Sequence, residues 1–193
     1  MNRASNAPRG LFPKPYADLV ARLRVPVGFL LVAAFAWFSS PTLRSVAVGV
    51  ALSLPGLLLR AWAAGHLRKN ATLTTSGPYG WIRNPLYAGT LIVAGGMAYA
   101  AQQWPLAILF GAVFLLIYLP AISLEEQHLA DLFPDFASYA RRVPLLLPYR
   151  GRFPGTQSFA LVQYFHNREY EASLGFLAGV AFLVAKAYYF PGR

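Results

Sequence analysis

The sequence contains no cysteine, two methionines, three histidines and only seven acidic residues in 193. Without cysteine there is no disulfide framework, no thiol nucleophile and no zinc–thiolate site. Charge of either sign is scarce: Asp, Glu, Lys and Arg make up 12% of the chain, against about 25% in soluble domains. Apolar residues fill the difference at 56%, above the usual range of about 45–50%. That balance excludes an ordinary soluble globule and predicts an all-α fold, an integral membrane helical bundle. The length suits a single domain, residues 1–193.

The charges that are present lean one way. Seventeen basic residues against seven acidic ones give +10, which suits nucleic acid or an anionic membrane surface. Their placement decides between the two. Long stretches are free of charge, and a helix needs about 20 mostly apolar residues to cross the hydrocarbon core. Val25 to Leu43 and Ser45 to Leu59 are two candidate spans. Asn84 to Leu124 is also uncharged. As helix it would run about 60 Å, twice a bilayer core, so it must fold back. The expected break is Gln102-Gln103-Trp104-Pro105, where amides seek water, tryptophan suits the interface and proline fits a first helical turn. A fifth span is expected over Ala172 to Phe190.

Five transmembrane helices result, with residues 1–24 as a basic N-terminal arm, 25–59 as spans one and two, 60–148 as a core holding spans three and four, and 149–193 as an interfacial segment and span five. Arg3, Arg9, Lys14, Arg22 and Arg24 precede span one; Arg60, Arg68, Lys69 and Arg83 separate spans two and three; Arg141, Arg142, Arg150, Arg152 and Arg168 separate four and five. The positive-inside rule makes these segments cytoplasmic and puts Arg44, Lys186 and Arg193 opposite, as in a bacterial inner-membrane protein. The basic charge then reports orientation and contact with membrane lipids, and no nucleic-acid partner is expected. No metal site is expected either. Span one lacks a convincing cleavage site, so it is expected to stay.

Two segments hold the polar groups. One runs from Gly65-His66 through the turn-rich Gly77-Pro78-Tyr79-Gly80 to Asn84-Pro85, a helix start with the amide as N-cap and proline in the first turn. The other begins with Glu125-Glu126, the only carboxylates between Asp18 and Asp131. Folding the uncharged run into a hairpin brings Arg83, Asn84, Tyr87, Glu125 and Glu126 to one cytoplasm-facing pocket.

The order Gly77-Pro78-Tyr79-Gly80-Trp81-Ile82-Arg83-Asn84-Pro85-Leu86-Tyr87-Ala88-Gly89, then Glu125-Glu126, Phe133, Tyr139 and Val143-Pro144, resembles the isoprenylcysteine carboxyl methyltransferase family and its phospholipid methyltransferase relatives, over about residues 60–148. The Gly-His-x-x-Lys of its bacterial branch is matched by Gly65, His66 and Lys69. The resemblance implies a membrane methyltransferase that uses S-adenosyl-L-methionine, releases S-adenosyl-L-homocysteine and takes a lipophilic small-molecule or lipid acceptor from the bilayer. By position it implies cofactor contacts at Thr72, Leu73, Thr74, Tyr79, Asn84, Pro85, Leu86, Tyr87 and Glu125, with His66 and Lys69 added.

The residue types suit those roles. A cofactor with cationic groups and a carboxylate needs both signs of charge, here Glu125 or Glu126 against Arg83 or Lys69, and Tyr79 and Tyr87 can pack adenine or face a sulfonium. Arg83 and Glu126 are the candidate catalytic residues, Glu126 as general base if the acceptor is a protonated amine; a carboxylate acceptor needs none. The chain departs from the pattern at Asn84, a histidine in the eukaryotic branch, and at Ala121, where prenylcysteine enzymes carry an arginine. An isoprenylcysteine-like carboxylate and an amine-headed lipid therefore both stand as acceptors. A membrane reductase of the sterol-reductase type and a non-enzymatic helical scaffold are the alternatives.

Overall fold

The computed structural model describes residues 12–148 and 153–190, and every regular element among them is helical. Arg3, Arg9, Arg150, Arg152 and Arg193 lie outside the described residues. Helices α1 (Lys14–Phe38), α2 (Leu43–His66), α3 (Pro85–Ala101), α4 (Trp104–Leu132) and α7 (Tyr170–Tyr189) are the long ones; α5 (Phe136–Arg142) and α6 (Leu161–His166) are short. Among the described helices, α2, α4 and α7 are long and apolar enough to cross a membrane. At 17 residues α3 is apolar and shorter, at the low end of the roughly 17–25 residues that span. The chain is a helical membrane bundle.

Hydrogen bonds gather the helix ends at two faces. At one face, Ser40 N–H donates to the Ala101 carbonyl (2.8 Å), Gln103 Nε2 to Ser40 Oγ (3.1 Å), and Lys186 Nζ to the Ala36 and Trp37 carbonyls (2.8 and 2.9 Å). The lysine thereby caps the end of α1, where the helix dipole favours a cation. The other face collects the end of α2, the start of α3, the end of α4 and the start of α7. The α3–α4 break falls where the sequence places it: Gln102 turns left-handed at φ 52° and Pro105 enters the first turn of α4.

The seam between α2 and α3 is built from small residues. A Cβ on Gly49 would lie 2.5 Å from the Gly96 carbonyl oxygen, and one on Gly56 would lie 2.6 Å from that of Gly89. Ser53 Oγ donates to the Gly49 and Val93 carbonyls at 2.8 and 3.1 Å. Lipid offers helices little hydrophobic reason to associate, so close backbone approach and interhelical hydrogen bonds carry the packing. This fixes the end of α2 beside the start of α3.

Several boundaries differ from the sequence reading: span one ends at Phe38, and Leu43 opens α2. Helix α1 begins at Lys14, so the stretch from Lys14 to Arg24 of the expected arm is helical. Helix α2 runs past Leu59 and Arg60 to His66, because polar residues at a helix end cost nothing once they leave the hydrocarbon. Within the expected interfacial segment, the helix is the six-residue α6. Ahead of it, residues 153–160 form an extended strap: Phe153 N–H donates to the Gly80 carbonyl (2.8 Å) and Ala160 N–H to that of Gly65 (2.9 Å).

Candidate functional site

The hairpin of α3 and α4 brings the two polar segments together. Arg83 Nε and Nη2 donate to Glu126 Oε1 and Oε2 at 2.6 and 3.0 Å, and Arg83 Nη1 donates to the Ala140 and Val143 carbonyls at 2.8 and 2.7 Å. Asn84 Nδ2 donates to Glu126 Oε1 at 3.2 Å. Asn84 does occupy the N-cap position, but its side chain makes no cap bond and instead donates through Nδ2 to Glu126. The Val143-Pro144 block closes through backbone: Arg83 N–H donates to the Pro144 carbonyl (2.8 Å) and Asn84 N–H to that of Leu145 (3.1 Å). Both oxygens of Glu126 are therefore committed to a clasp, and the side chain is 19% exposed. Glu126, the expected general base for a protonated amine acceptor, is thus engaged by Arg83 on both oxygens, and the two residues form a unit that holds the helix ends together.

Glu125 sits differently. It is 48% exposed, and its Oε1 accepts from Tyr87 Oη (3.1 Å) and from Arg24 Nη1 (3.0 Å) on α1. Between these groups and the loop lies a cavity of about 730 Å³. Of the residues expected from the sequence, Lys69, Thr72, Leu73, Thr74, Tyr79, Arg83, Asn84, Pro85, Leu86, Tyr87, Glu125 and Glu126 line it.

His66 does not. It is 7% exposed, its Nδ1 pairs with Ser76 Oγ at 2.9 Å, and its ring meets Trp62 and Phe159 edge-on. A Cβ on Gly77, at φ +57°, would lie 2.5 Å from His66 Cδ2, so glycine there serves both the left-handed turn and the histidine. His66 holds the loop at Ser76 and Gly77 and is not part of the cavity lining.

Two buried phenols shape the roof. Tyr139 Oη donates to the Tyr79 carbonyl at 2.7 Å, which fixes the single 3₁₀ turn Gly77–Gly80 over α5. Burial pushes both phenols well above their usual value, so they stay neutral donors across the physiological range.

Sequence reasoning gave Arg60 only a headgroup role and Glu169 none. Yet Arg60 lines the cavity from α2, and its Nε and Nη2 donate to Glu169 Oε1 and Oε2 at 2.6 and 3.0 Å. Thr90, Tyr118, His128 and Tyr139 also line the cavity. For Tyr118 a signal existed, since it lies two helical turns before Glu125 on the same hairpin arm. The π-helical turn at Phe114–Tyr118 that turns it inward left no mark in the sequence.

Comparison with known proteins bears on the family. The phospholipid methyltransferase family profile matches residues 24–135. The cobalt-zinc-cadmium resistance protein CzcN of Cupriavidus metallidurans is 34% identical over 73% of this chain and 65% of its own length. The nickel-cobalt-cadmium resistance protein NccN of Alcaligenes xylosoxydans is 31% identical over 73% and 66%. The protein-S-isoprenylcysteine O-methyltransferase of Schizosaccharomyces pombe is 26% identical over 70% and 59%. The chain thus covers less than two thirds of each of these relatives. No solved structure matches it.

Proposed function

Because the chain belongs to the phospholipid methyltransferase family, we propose that it transfers a methyl group from S-adenosyl-L-methionine to a lipophilic acceptor resident in the membrane. The observation that carries this reading is the cavity at the helix ends, where the half-exposed Glu125 and Tyr87 face the loop of Lys69 to Tyr79.

The wall fits the cofactor. Its volume of about 730 Å³ lies within the roughly 300–1,000 Å³ of small-molecule sites. It offers a carboxylate at Glu125, cations at Arg68 and Lys69, and phenol faces at Tyr79, Tyr87 and Tyr118. When bound, S-adenosyl-L-methionine supplies a methyl group activated by a positive sulfur. Glu125, oriented by the Tyr87 hydroxyl, holds a cationic group; Lys69 and Arg68 hold a carboxylate. The tyrosine faces favour a cation by roughly 0.5–2 kcal/mol. The Arg83–Glu126 clasp and the Tyr139–Tyr79 bond keep these groups in register, which matters because in-line displacement depends on placement and on exclusion of water.

The acceptor we favour is a carboxylate of the isoprenylcysteine kind over an amine-headed lipid. A carboxylate needs no deprotonation, and Glu126 is engaged on both oxygens. The metal-resistance relatives' names specify no reaction. The positive-inside distribution supports a cytoplasmic side for the cavity and the start of α1, in what we take to be a bacterial inner membrane.

Calorimetry on detergent-purified protein tests the reading. Saturable binding of S-adenosyl-L-homocysteine supports it, and its absence from folded protein overturns it. The acceptor follows from labelled S-adenosyl-L-methionine and extracted membrane lipids: base-labile label means a methyl ester, and stable label means an N-methyl group.

A further inference from the structure

Arg60 reaches the cavity by passing against α3 at Gly89. A Cβ on Gly89 would lie 2.5 Å from Arg60 Cγ, so only glycine lets the stem through. Beyond it, Nη1 donates to the Leu86 carbonyl (3.2 Å) and to the Thr90 hydroxyl, while Nε and Nη2 grip both oxygens of Glu169. The pair is shielded, with side chains 21% and 9% exposed.

Glu169 is delivered by a built elbow. Asn167 Nδ2 donates to the Ala64 and Leu67 carbonyls at 2.8 and 2.9 Å, and Arg168 turns left-handed at φ 55°. Glu169 lies beyond the family match, which ends at residue 135.

The lining carries Arg60, Arg68, Lys69 and Arg83 against Glu125 and Glu126. Glu126 compensates Arg83. Arg60 would otherwise be an open guanidinium in a shielded wall, where charges act strongly, and it would repel a ligand that carries a fixed positive charge.

We propose that Glu169 masks the charge of Arg60 and so sets the cavity's preference for a cationic ligand, S-adenosyl-L-methionine, relative to its uncharged-sulfur product. The inference rests on the proposed function. Uncovering one charge within a few ångströms of a ligand in a partly shielded site shifts binding on the order of tenfold.

Calorimetry with S-adenosyl-L-methionine and S-adenosyl-L-homocysteine separately, on the full chain, reads the ratio of the two affinities. Glu169→Gln is expected to shift the ratio about tenfold against the cationic ligand. Arg60→Gln, which uncovers Glu169, shifts it the other way, and the double variant returns it near the starting value. Glu171→Gln, the same charge change at an exposed site, leaves it unmoved. A purely structural tie moves both single variants in one direction and the double no closer to the start, and that outcome, or an unchanged ratio, overturns the proposal. If one variant proves too unstable in detergent, the sign of the other's shift against Glu171→Gln still decides, and a shift opposite to the one stated overturns the proposal. Failure of the unaltered protein to bind either ligand instead defeats the functional reading beneath it.

Discussion

The Tyr87 hydroxyl donates to Glu125 Oε1 at 3.1 Å across two helices, and Arg24 of a third helix shares the same oxygen at 3.0 Å. One carboxylate thus ties three helices together at the edge of the cavity, while its neighbour Glu126, about 100° further round the helix, enters the clasp with Arg83. Adjacent residues of like type have been given different work by the turn of the helix between them.

Glu125→Ala should weaken S-adenosyl-L-homocysteine binding by at least tenfold, since a hydrogen bond to a charged group contributes about 1.5–3 kcal/mol. Tyr87→Phe should cost less, because the ring remains and only the orienting hydroxyl is lost. Calorimetry ranks them; equal affinities in all three proteins would remove Glu125 from the binding site.

Arg83→Gln or Glu126→Gln should destabilise the fold by about 3 kcal/mol, because removing one member of a largely buried pair leaves the other uncompensated. Arg83→Met with Glu126→Leu should recover much of the loss. Thermal inactivation midpoints in detergent measure both. A single variant as stable as the parent would show that the clasp is dispensable.

Gly49→Ala places a methyl group against the Gly96 backbone, where a Cβ has 2.5 Å, whereas Gly95→Ala meets open space. The first should cost about 1–3 kcal/mol as overpacking and the second nothing. The contrast in thermal midpoint tests the α2–α3 seam.

Alkaline pH should loosen the loop. Tyr79 and Tyr139 are held above the ordinary phenol value of 10.0 by burial. Their stabilisation is complete below that pH and declines as pH rises beyond it, since the unfolded phenols ionise first. Melting midpoints should stay level toward pH 10 and fall above it, and Tyr139→Phe should flatten the fall while costing about 1 kcal/mol at neutral pH.

Sidedness is open to labelling because the native chain has no thiol. In oriented membrane vesicles, Asp131→Cys should react with an impermeant maleimide only from the cytoplasmic side, and Gln102→Cys only from the other. The reverse pattern would invert the topology.

Much of the hairpin was readable from composition alone. Gln102 to Pro105 marks the break because amides, an interfacial ring and proline each act locally, and a hairpin forces Arg83 toward Glu126 whatever the details. The Arg60–Glu169 pair was not readable: its members lie 109 residues apart, and their meeting depends on a left-handed Arg168. The inward turn of His66 was equally hidden, since its environment comes from Phe159 on the distant strap and from the space above Gly77. Local chemistry survives in a sequence pattern, whereas partners delivered by a long excursion of the chain do not.

The strap and elbow also impose an order on biogenesis. The α3–α4 hairpin is translated before Phe153 and Glu169, yet those residues brace Gly80 and hold Arg60. The nascent protein therefore passes through a stage with its spans largely in the bilayer and its pocket unfinished, and it matures only when the final helix threads in and draws the strap across the loop.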